Sequence, residues 1–75
     1  MNATDPEKRN NQLRQARRRR MLTIKETAKL VKVSPITYSR WELGTQKPRL
    51  ASLKDLCDAF EMPAEKLGFG DLLKE

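Results

Sequence analysis

Residues 22–44 read LTIKETAKLVKVSPITYSRWELG and contain two helix start signals in close succession. Thr23 and Glu26 match the Thr-x-x-Glu capping box, in which two side chains satisfy backbone amides at the start of a helix. Ser34 is a favourable N-cap residue, and Pro35 suits the first position of the next helix. The sequence therefore predicts two helices in this stretch.

The connection between the two helices is very short. The first helix is expected to end near Val31, and the second is expected to run to about Glu42, with Gly44 as its C-terminal stop. Only Lys32 and Val33 then separate the first helix from the second start signal, so the chain must turn sharply. A turn of this length is typical of a helix-turn-helix pair rather than of an antiparallel hairpin.

The sequence before this stretch predicts another helix, from about Pro6 to Arg20, with Leu13 and Ala16 pointing inward. Four consecutive arginines, residues 17–20, occupy its C-terminal end, where the helix dipole favours cations. Consecutive residues cannot share one face of a helix. We therefore expect these arginines to divide between different roles.

Two more helices are predicted after the central stretch. Helical spacing of apolar residues indicates the first of them, and the residues concerned are Leu50, Leu53, Leu56, Cys57 and Phe60. A short fifth helix is expected over about residues 63–67. The prediction is thus a compact all-α domain of five helices over residues 6–70, after a disordered segment at 1–5 and before a tail or further element at 71–75.

Length and composition exclude several classes of protein. A chain of 75 residues forms one small domain. It has no His, Cys57 is its single cysteine, and it has no Gly-rich phosphate loop, so we expect no metal, no cofactor and no enzyme activity. No apolar run approaches the roughly 20 residues of a membrane span. A single cysteine without a signal peptide fits a cytoplasmic protein.

The positive charge is concentrated in one block of the sequence. Residues 8–49 contain thirteen Lys or Arg and two acids, whereas residues 50–75 contain six acids and three lysines. A basic block of this kind can form a face for a polyanion, although a solvated helix surface is the alternative. The charge pattern therefore favours a nucleic-acid partner without identifying it.

The central stretch resembles the phage repressor and Cro-like (XRE-type) helix-turn-helix family. The motifs are Leu22-Thr23-x-x-Glu26-x-Ala28 and Val33-Ser34-x-x-Thr37-x-Ser39-Arg40-Trp41-Glu42-x-Gly44. Further matches on either side are Leu13-x-x-Ala16-Arg17, Lys47-Pro48 and Leu53-x-x-Leu56-Cys57-x-Ala59-Phe60-x-Met62. The resemblance spans roughly residues 13–67 and rests on the order of these elements rather than on any one of them.

The resemblance implies a lambda-repressor-like domain that binds double-stranded DNA as a transcriptional regulator. Its third helix would lie in the major groove, and the protein would bind as a homodimer on a roughly palindromic site. The resemblance also implies an ion pair between Arg17 at the end of the first helix and Glu42 at the end of the third. Such a pair would be structural, which would account for an acid inside the basic block.

Three positions correspond to the base-reading residues of the family, namely Pro35, Ile36 and Arg40. Arg40 can make a bidentate contact to guanine, and its alternatives are a phosphate contact or a solvated charge. Ile36 suits a thymine methyl group, with a partner contact as its alternative. Pro35 donates no hydrogen bond and would mainly shape the start of the helix. Tyr38 and Trp41 are expected in the core rather than as stacking platforms for bases.

Hydroxyl and basic side chains around these positions are expected to contact the DNA backbone. These residues are Thr23, Lys25, Ser34, Thr37, Ser39, Thr45, Lys47 and Arg49. For Thr37 and Ser39 the alternatives are a base contact or a plain surface hydroxyl. Part of the arginine run at residues 17–20 is also expected to contact phosphates. Because phosphates would supply much of the affinity, we expect a steep dependence of binding on salt.

The sequence departs from the family pattern at four places. Ile24 stands where the family often has a phosphate-binding Gln, and Thr27 stands where a core leucine is usual. Met21 and Lys32 occupy positions where Gly is common. A left-handed backbone at either of them would cost on the order of 1 kcal/mol.

A second function remains open from the sequence. A helix-turn-helix module can serve protein or RNA interaction within a larger assembly, and that is the alternative to double-stranded DNA binding. Phe69, Leu72 and Leu73 are the candidates for a dimer contact or for a junction with a further domain.

Overall fold

The computed structural model describes residues 9–70, which form four α-helices and one 3-10 turn without a β-strand. The helices are α1 (Asn11–Arg19), α2 (Ile24–Leu30), α3 (Pro35–Leu43) and α4 (Leu50–Phe60), and the 3-10 turn spans Ala64–Leu67. The all-α prediction is therefore confirmed for the part of the chain that the structure describes. The expected segments at residues 1–5 and 71–75 lie outside these residues.

The predicted fifth helix is a single 3-10 turn rather than an α-helix. Pro63 precedes the turn, and Gly68 ends it in the left-handed conformation, with φ 86°. Only four residues remain between them, and a hydrogen bond from Lys66 N–H to the Pro63 carbonyl (3.0 Å) closes the tighter i to i+3 ring. The five-helix count is therefore not confirmed.

The predicted start of α1 near Pro6 is wrong, because the helix begins at Asn11. Asn10 is its N-cap, and the side-chain oxygen of Asn10 accepts a hydrogen bond from Leu13 N–H at 3.0 Å. The side-chain amide of Asn10 donates to the Leu67 carbonyl at 2.8 Å. The cap therefore also joins α1 to the 3-10 turn near the other end of the described chain.

The capping box that opens α2 is confirmed. Thr23 N–H donates to Glu26 Oε1 (2.8 Å), and Glu26 N–H donates to Thr23 Oγ1 (3.0 Å). The hydrogen bond from the Thr23 backbone lowers the pKa of Glu26, because it favours the ionised carboxyl. Thr27 is fully buried in the same helix, and its hydroxyl donates to the Thr23 carbonyl at 3.0 Å, which explains how a Thr is accommodated where the family usually has a leucine.

The sharp connection between α2 and α3 places Lys32 in the left-handed conformation, with φ 63°. Val33 N–H donates to the Ala28 carbonyl at 3.0 Å, which closes the turn. Met21, between α1 and α2, is also left-handed, with φ 57°. Met21 and Lys32 therefore both have the left-handed backbone whose cost was expected to be on the order of 1 kcal/mol at each position.

One apolar core joins all five elements. Its buried members are Leu13, Ala16, Ala28, Val31, Tyr38, Trp41, Leu53, Leu56, Phe60, Ala64, Leu67 and Phe69. Leu50, at the start of α4, departs from the predicted core stripe and is 66% exposed. Phe69 is 4% exposed, so its predicted role as a dimer contact is wrong: the core already uses this ring. Leu72 and Leu73 lie outside the described residues.

Candidate nucleic-acid interface

The two faces of α3 differ sharply. Tyr38, Trp41 and Glu42 are buried, as the helical spacing predicts. Ile36 is 65% exposed, and Arg40 is exposed one turn further along the same side. The face opposite the core therefore presents one apolar and one cationic side chain, next to the exposed Pro35 at the start of the helix.

An ion pair holds α3 against α1. Arg17 Nε donates to Glu42 Oε2 at 2.6 Å, Arg17 Nη2 donates to Glu42 Oε1 at 3.2 Å, and Arg17 Nη1 donates to the Leu22 carbonyl at 2.8 Å. The hydrogen bond to Glu42 raises the pKa of Arg17. The pair implied by the family resemblance is therefore present, and it connects α1, α3 and the segment before α2.

The two aromatic residues of α3 lie in the core. The rings of Tyr38 and Trp41 meet edge to face, with centroids 5.9 Å apart. Burial raises the pKa of Tyr38 well above its usual range, and the charge of Glu42 acts in the same direction. Neither ring is exposed enough to stack on a base, so the expectation that both residues are structural is confirmed.

The hydroxyl groups of Ser34 and Thr37 form the cap at the N-terminus of α3. Ser34 Oγ accepts a hydrogen bond from Thr37 N–H (3.1 Å) and donates to Thr37 Oγ1 (2.9 Å). The cap therefore fixes the side chain of Thr37 beside the exposed face of the helix. Both residues keep this capping role whether or not they also contact a ligand.

The loop between α3 and α4 borders α3 on one side. Thr45, Lys47 and Arg49 are exposed along it, and Lys25 is exposed at the start of α2. A cleft beside α3 is lined by residues that include Val33, Thr37, Trp41, Lys47, Arg49 and Ser52. Thr37, Lys47 and Arg49 therefore lie around one cleft. This arrangement is compatible with the phosphate contacts expected of all three residues.

Sequence reasoning missed two residues that hold this arrangement together, Asn10 and Arg20. Arg20 Nη2 donates to the Phe60 carbonyl, at the end of α4, at 2.7 Å. Asn is a favourable N-cap residue, and that preference is the signal by which Asn10 could have been found. Arg20 had no local signal, because its partner lies 40 residues away in sequence.

Other kinds of site are not found in the described part of the chain. Residues 9–70 contain no group of three or more His, Cys, Asp or Glu side chains placed to hold a metal ion. No helix among them is long and apolar enough to cross a membrane. Cys57 is a half-buried free thiol whose pKa is raised, mainly by burial.

The geometry above defines a helix-turn-helix domain whose third helix exposes Ile36 and the cation Arg40. Residues 13–67 match a family model described as helix-turn-helix, and the chain therefore belongs to the Cro/C1-type (XRE) helix-turn-helix family. No curated protein sequence gives a significant match.

A solved structure similar to this chain is the solution NMR structure of the DNA-binding domain (1–76) of the P22 C2 repressor. The two chains are 26% identical, the match covers 88% of this chain and 87% of that chain, and the TM-score is 0.72. Family and fold are those of DNA-binding regulators.

Proposed function

We propose that this protein is a sequence-specific regulator of transcription that places α3 in the major groove of double-stranded DNA. The observation that carries the proposal is the exposed pair Ile36 and Arg40 on a helix whose other face is fixed in the core. An exposed isoleucine at the start of a helix gains nothing in water, but it can contact a thymine methyl group. Arg40 can donate two parallel hydrogen bonds to guanine O6 and N7.

The remaining polar residues of the interface are proposed to contact phosphates. Thr23, Lys25, Ser34, Thr37, Ser39, Thr45, Lys47 and Arg49 form this group. The hydroxyl groups of Thr23 and Ser34 are already engaged as helix caps, so their main contribution would be to present the amide ends of α2 and α3. Ile24 supplies no hydrogen bond at the position where the family often has Gln, so the contact at α2 would come from backbone amides and Lys25.

A single domain would read few base pairs, because only Arg40 among the proposed base contacts can make directed hydrogen bonds. Discrimination would therefore require two copies, and we propose a homodimer on a roughly palindromic site with half-sites about 34 Å apart.

Selection of binding sites from a random duplex pool tests the proposal. We expect enrichment of a roughly palindromic sequence, and we expect the Arg40→Ala variant to lose about 1–3 kcal/mol of preference at one base pair per half-site. Lys54→Ala is the matched control, because it removes an exposed charge from α4 and should leave the preference unchanged. If no sequence is enriched, the protein or RNA interaction module becomes the better hypothesis.

A further inference from the structure

We infer that α1 supplies a second set of DNA phosphate contacts, through Arg14 and Arg18, on the side of α3 opposite the loop. This inference rests on the proposed function and adds residues to its surface. It starts from the position of α3, because the major groove is about 12 Å wide and a phosphate backbone runs along each of its edges. A helix in that groove therefore has a DNA phosphate backbone on each side.

The structure has a cleft on each side of α3. Thr37 and Ser39 are two positions apart, which at about 100° per residue places them on opposite flanks, with Ile36 and Arg40 between them. Thr37 lines the cleft that contains the loop cations Lys47 and Arg49. Each flank of the exposed face therefore borders its own cleft.

The cleft on the Ser39 flank is bordered by α1 and is also basic. It is lined by Arg9, Asn11, Arg14, Arg17, Ile24, Ser39, Glu42 and Leu43. Glu42 offsets the charge of Arg17, with which it is paired, so Arg9 and Arg14 give the cleft its positive charge. A neighbouring groove shares Asn11 and Arg14 with it and extends to Gln15 and Arg18. The basic surface therefore continues from α3 onto the outer side of α1.

The arginines of α1 differ in what they already bind. Arg17 is held by Glu42, and Arg20 is held by the Phe60 carbonyl. The side chains of Arg14, Arg18 and Arg19 are exposed and make no hydrogen bond or ion pair within residues 9–70. These three are therefore the cations of α1 that can neutralise a phosphate without breaking a structural contact.

Geometry separates these three into two groups. Arg14 and Arg18 are four residues apart and share one face of α1. Arg19 lies on another face, in a groove with Met62, Glu65 and Lys66 beside the 3-10 turn. Arg14 shares a cleft with Ser39, and Arg18 continues the same face of α1 away from that cleft, whereas Arg19 lies beside Glu65 of the acidic half of the chain. We therefore assign the phosphate contacts of α1 to Arg14 and Arg18 and not to Arg19.

Salt-dependent binding measures the number of phosphates that are neutralised, since each contact adds about 0.9 to the slope of log Kd against log salt. The experiment uses a mixed-sequence duplex of about 20 base pairs, labelled for fluorescence anisotropy. It compares the unaltered protein with Arg14→Gln, Arg18→Gln and Arg19→Gln over a series of salt concentrations. Each variant removes one charge from an exposed position of α1, and Gln has a helix propensity similar to that of Arg.

We expect Arg14→Gln and Arg18→Gln each to lower the slope by about 1, and the double variant to lower it by about 2. Arg19→Gln should change the slope by much less than 1, because it removes only a long-range attraction. If all three variants change the slope by the same amount, or none changes it, the inference is overturned. The proposed function still stands in that case, provided that the unaltered protein shows a steep slope. If the unaltered protein shows no salt-dependent binding to the duplex, both fail. Circular dichroism of each variant separates these outcomes from a loss of folding.

Discussion

At the scale of single residues, the pair of Arg17 and Glu42 has the clearest consequences. The Glu42 side chain is 8% exposed and the Arg17 side chain 13%, so removal of one partner leaves a largely desolvated charge without compensation. Such a loss is more costly than the net contribution of the pair to stability. The pair therefore joins α3 to α1, and losing either partner should cost more than the pair contributes.

We expect Glu42→Gln to lower the free energy of unfolding by about 3 kcal/mol, measured by urea denaturation. The double variant Arg17→Met with Glu42→Leu should lose less than the sum of Arg17→Met alone and Glu42→Leu alone, because it removes both charges together. It still leaves the Leu22 carbonyl without the hydrogen bond from Arg17 Nη1, so some loss should remain. Strict additivity of the two single changes would contradict the role assigned to the pair.

The pairing of Arg17 with Glu42 followed from the family resemblance, whereas the roles of the neighbouring arginines did not. Four successive arginines look alike in the sequence, and their helical positions separate them only once the elements packed against α1 are known. Arg20 meets the end of α4, and Arg19 faces the 3-10 turn. No local pattern indicates which side of α1 borders α3, so sequence reasoning could assign only one of the four.

At the scale of elements, the helices whose ends are encoded by nearby residues were predicted well. The Thr23–Glu26 capping box, the Ser34–Pro35 start and Gly44 each fix a boundary by a short-range interaction. The start of α1 was predicted wrongly because Pro6 was taken as its first residue, whereas Asn10 is the N-cap. The choice of Asn10 depends in part on a hydrogen bond to Leu67, which is distant in sequence.

Asn10 also supports a prediction about the junction of α1 with the 3-10 turn. We expect Asn10→Ala to lower the free energy of unfolding by about 1–2 kcal/mol, because it removes the cap of α1 and the bond to the Leu67 carbonyl. Asn11→Ala is the matched control: Asn11 is exposed in the first turn, and Ala has the higher helix propensity. The same urea denaturation measures both, and equal effects of the two variants would refute the role of Asn10.

Gly68 lies at the same junction and has no room for a side chain. A Cβ atom there would overlap Asn10 Oδ1, and the φ of 86° is unfavourable for a residue with a side chain. A glycine is therefore needed at this position for two reasons. Its backbone is left-handed, and the Asn10 side chain that caps α1 occupies the space of a Cβ atom. Its role as a helix stop could be predicted from the sequence, but its contact with Asn10 could not.

At the scale of the whole molecule, the charges are divided between two regions. The proposed DNA surface consists of α3, the loop after it, the start of α2 and one face of α1. The exposed acids Asp58, Glu61 and Glu65 belong to the end of α4 and the segment after it. The sequence predicted this division, because the basic and acidic blocks are contiguous along the chain. It could not predict which basic residues face outward together, because that depends on packing.

The acidic region should weaken DNA binding at long range without contacting the DNA. We expect Asp58→Asn and Glu65→Gln each to raise the affinity for a duplex roughly twofold at low ionic strength, because each removes one repulsive charge. The effect should vanish at high salt, where the Debye length falls to about 3 Å. Lys54→Gln, on the same helix as Asp58, should lower the affinity by a similar factor under the same conditions. An effect of either acid variant that persists at about 1 M salt, or that changes the selected sequence, would mean that this region contacts the DNA directly.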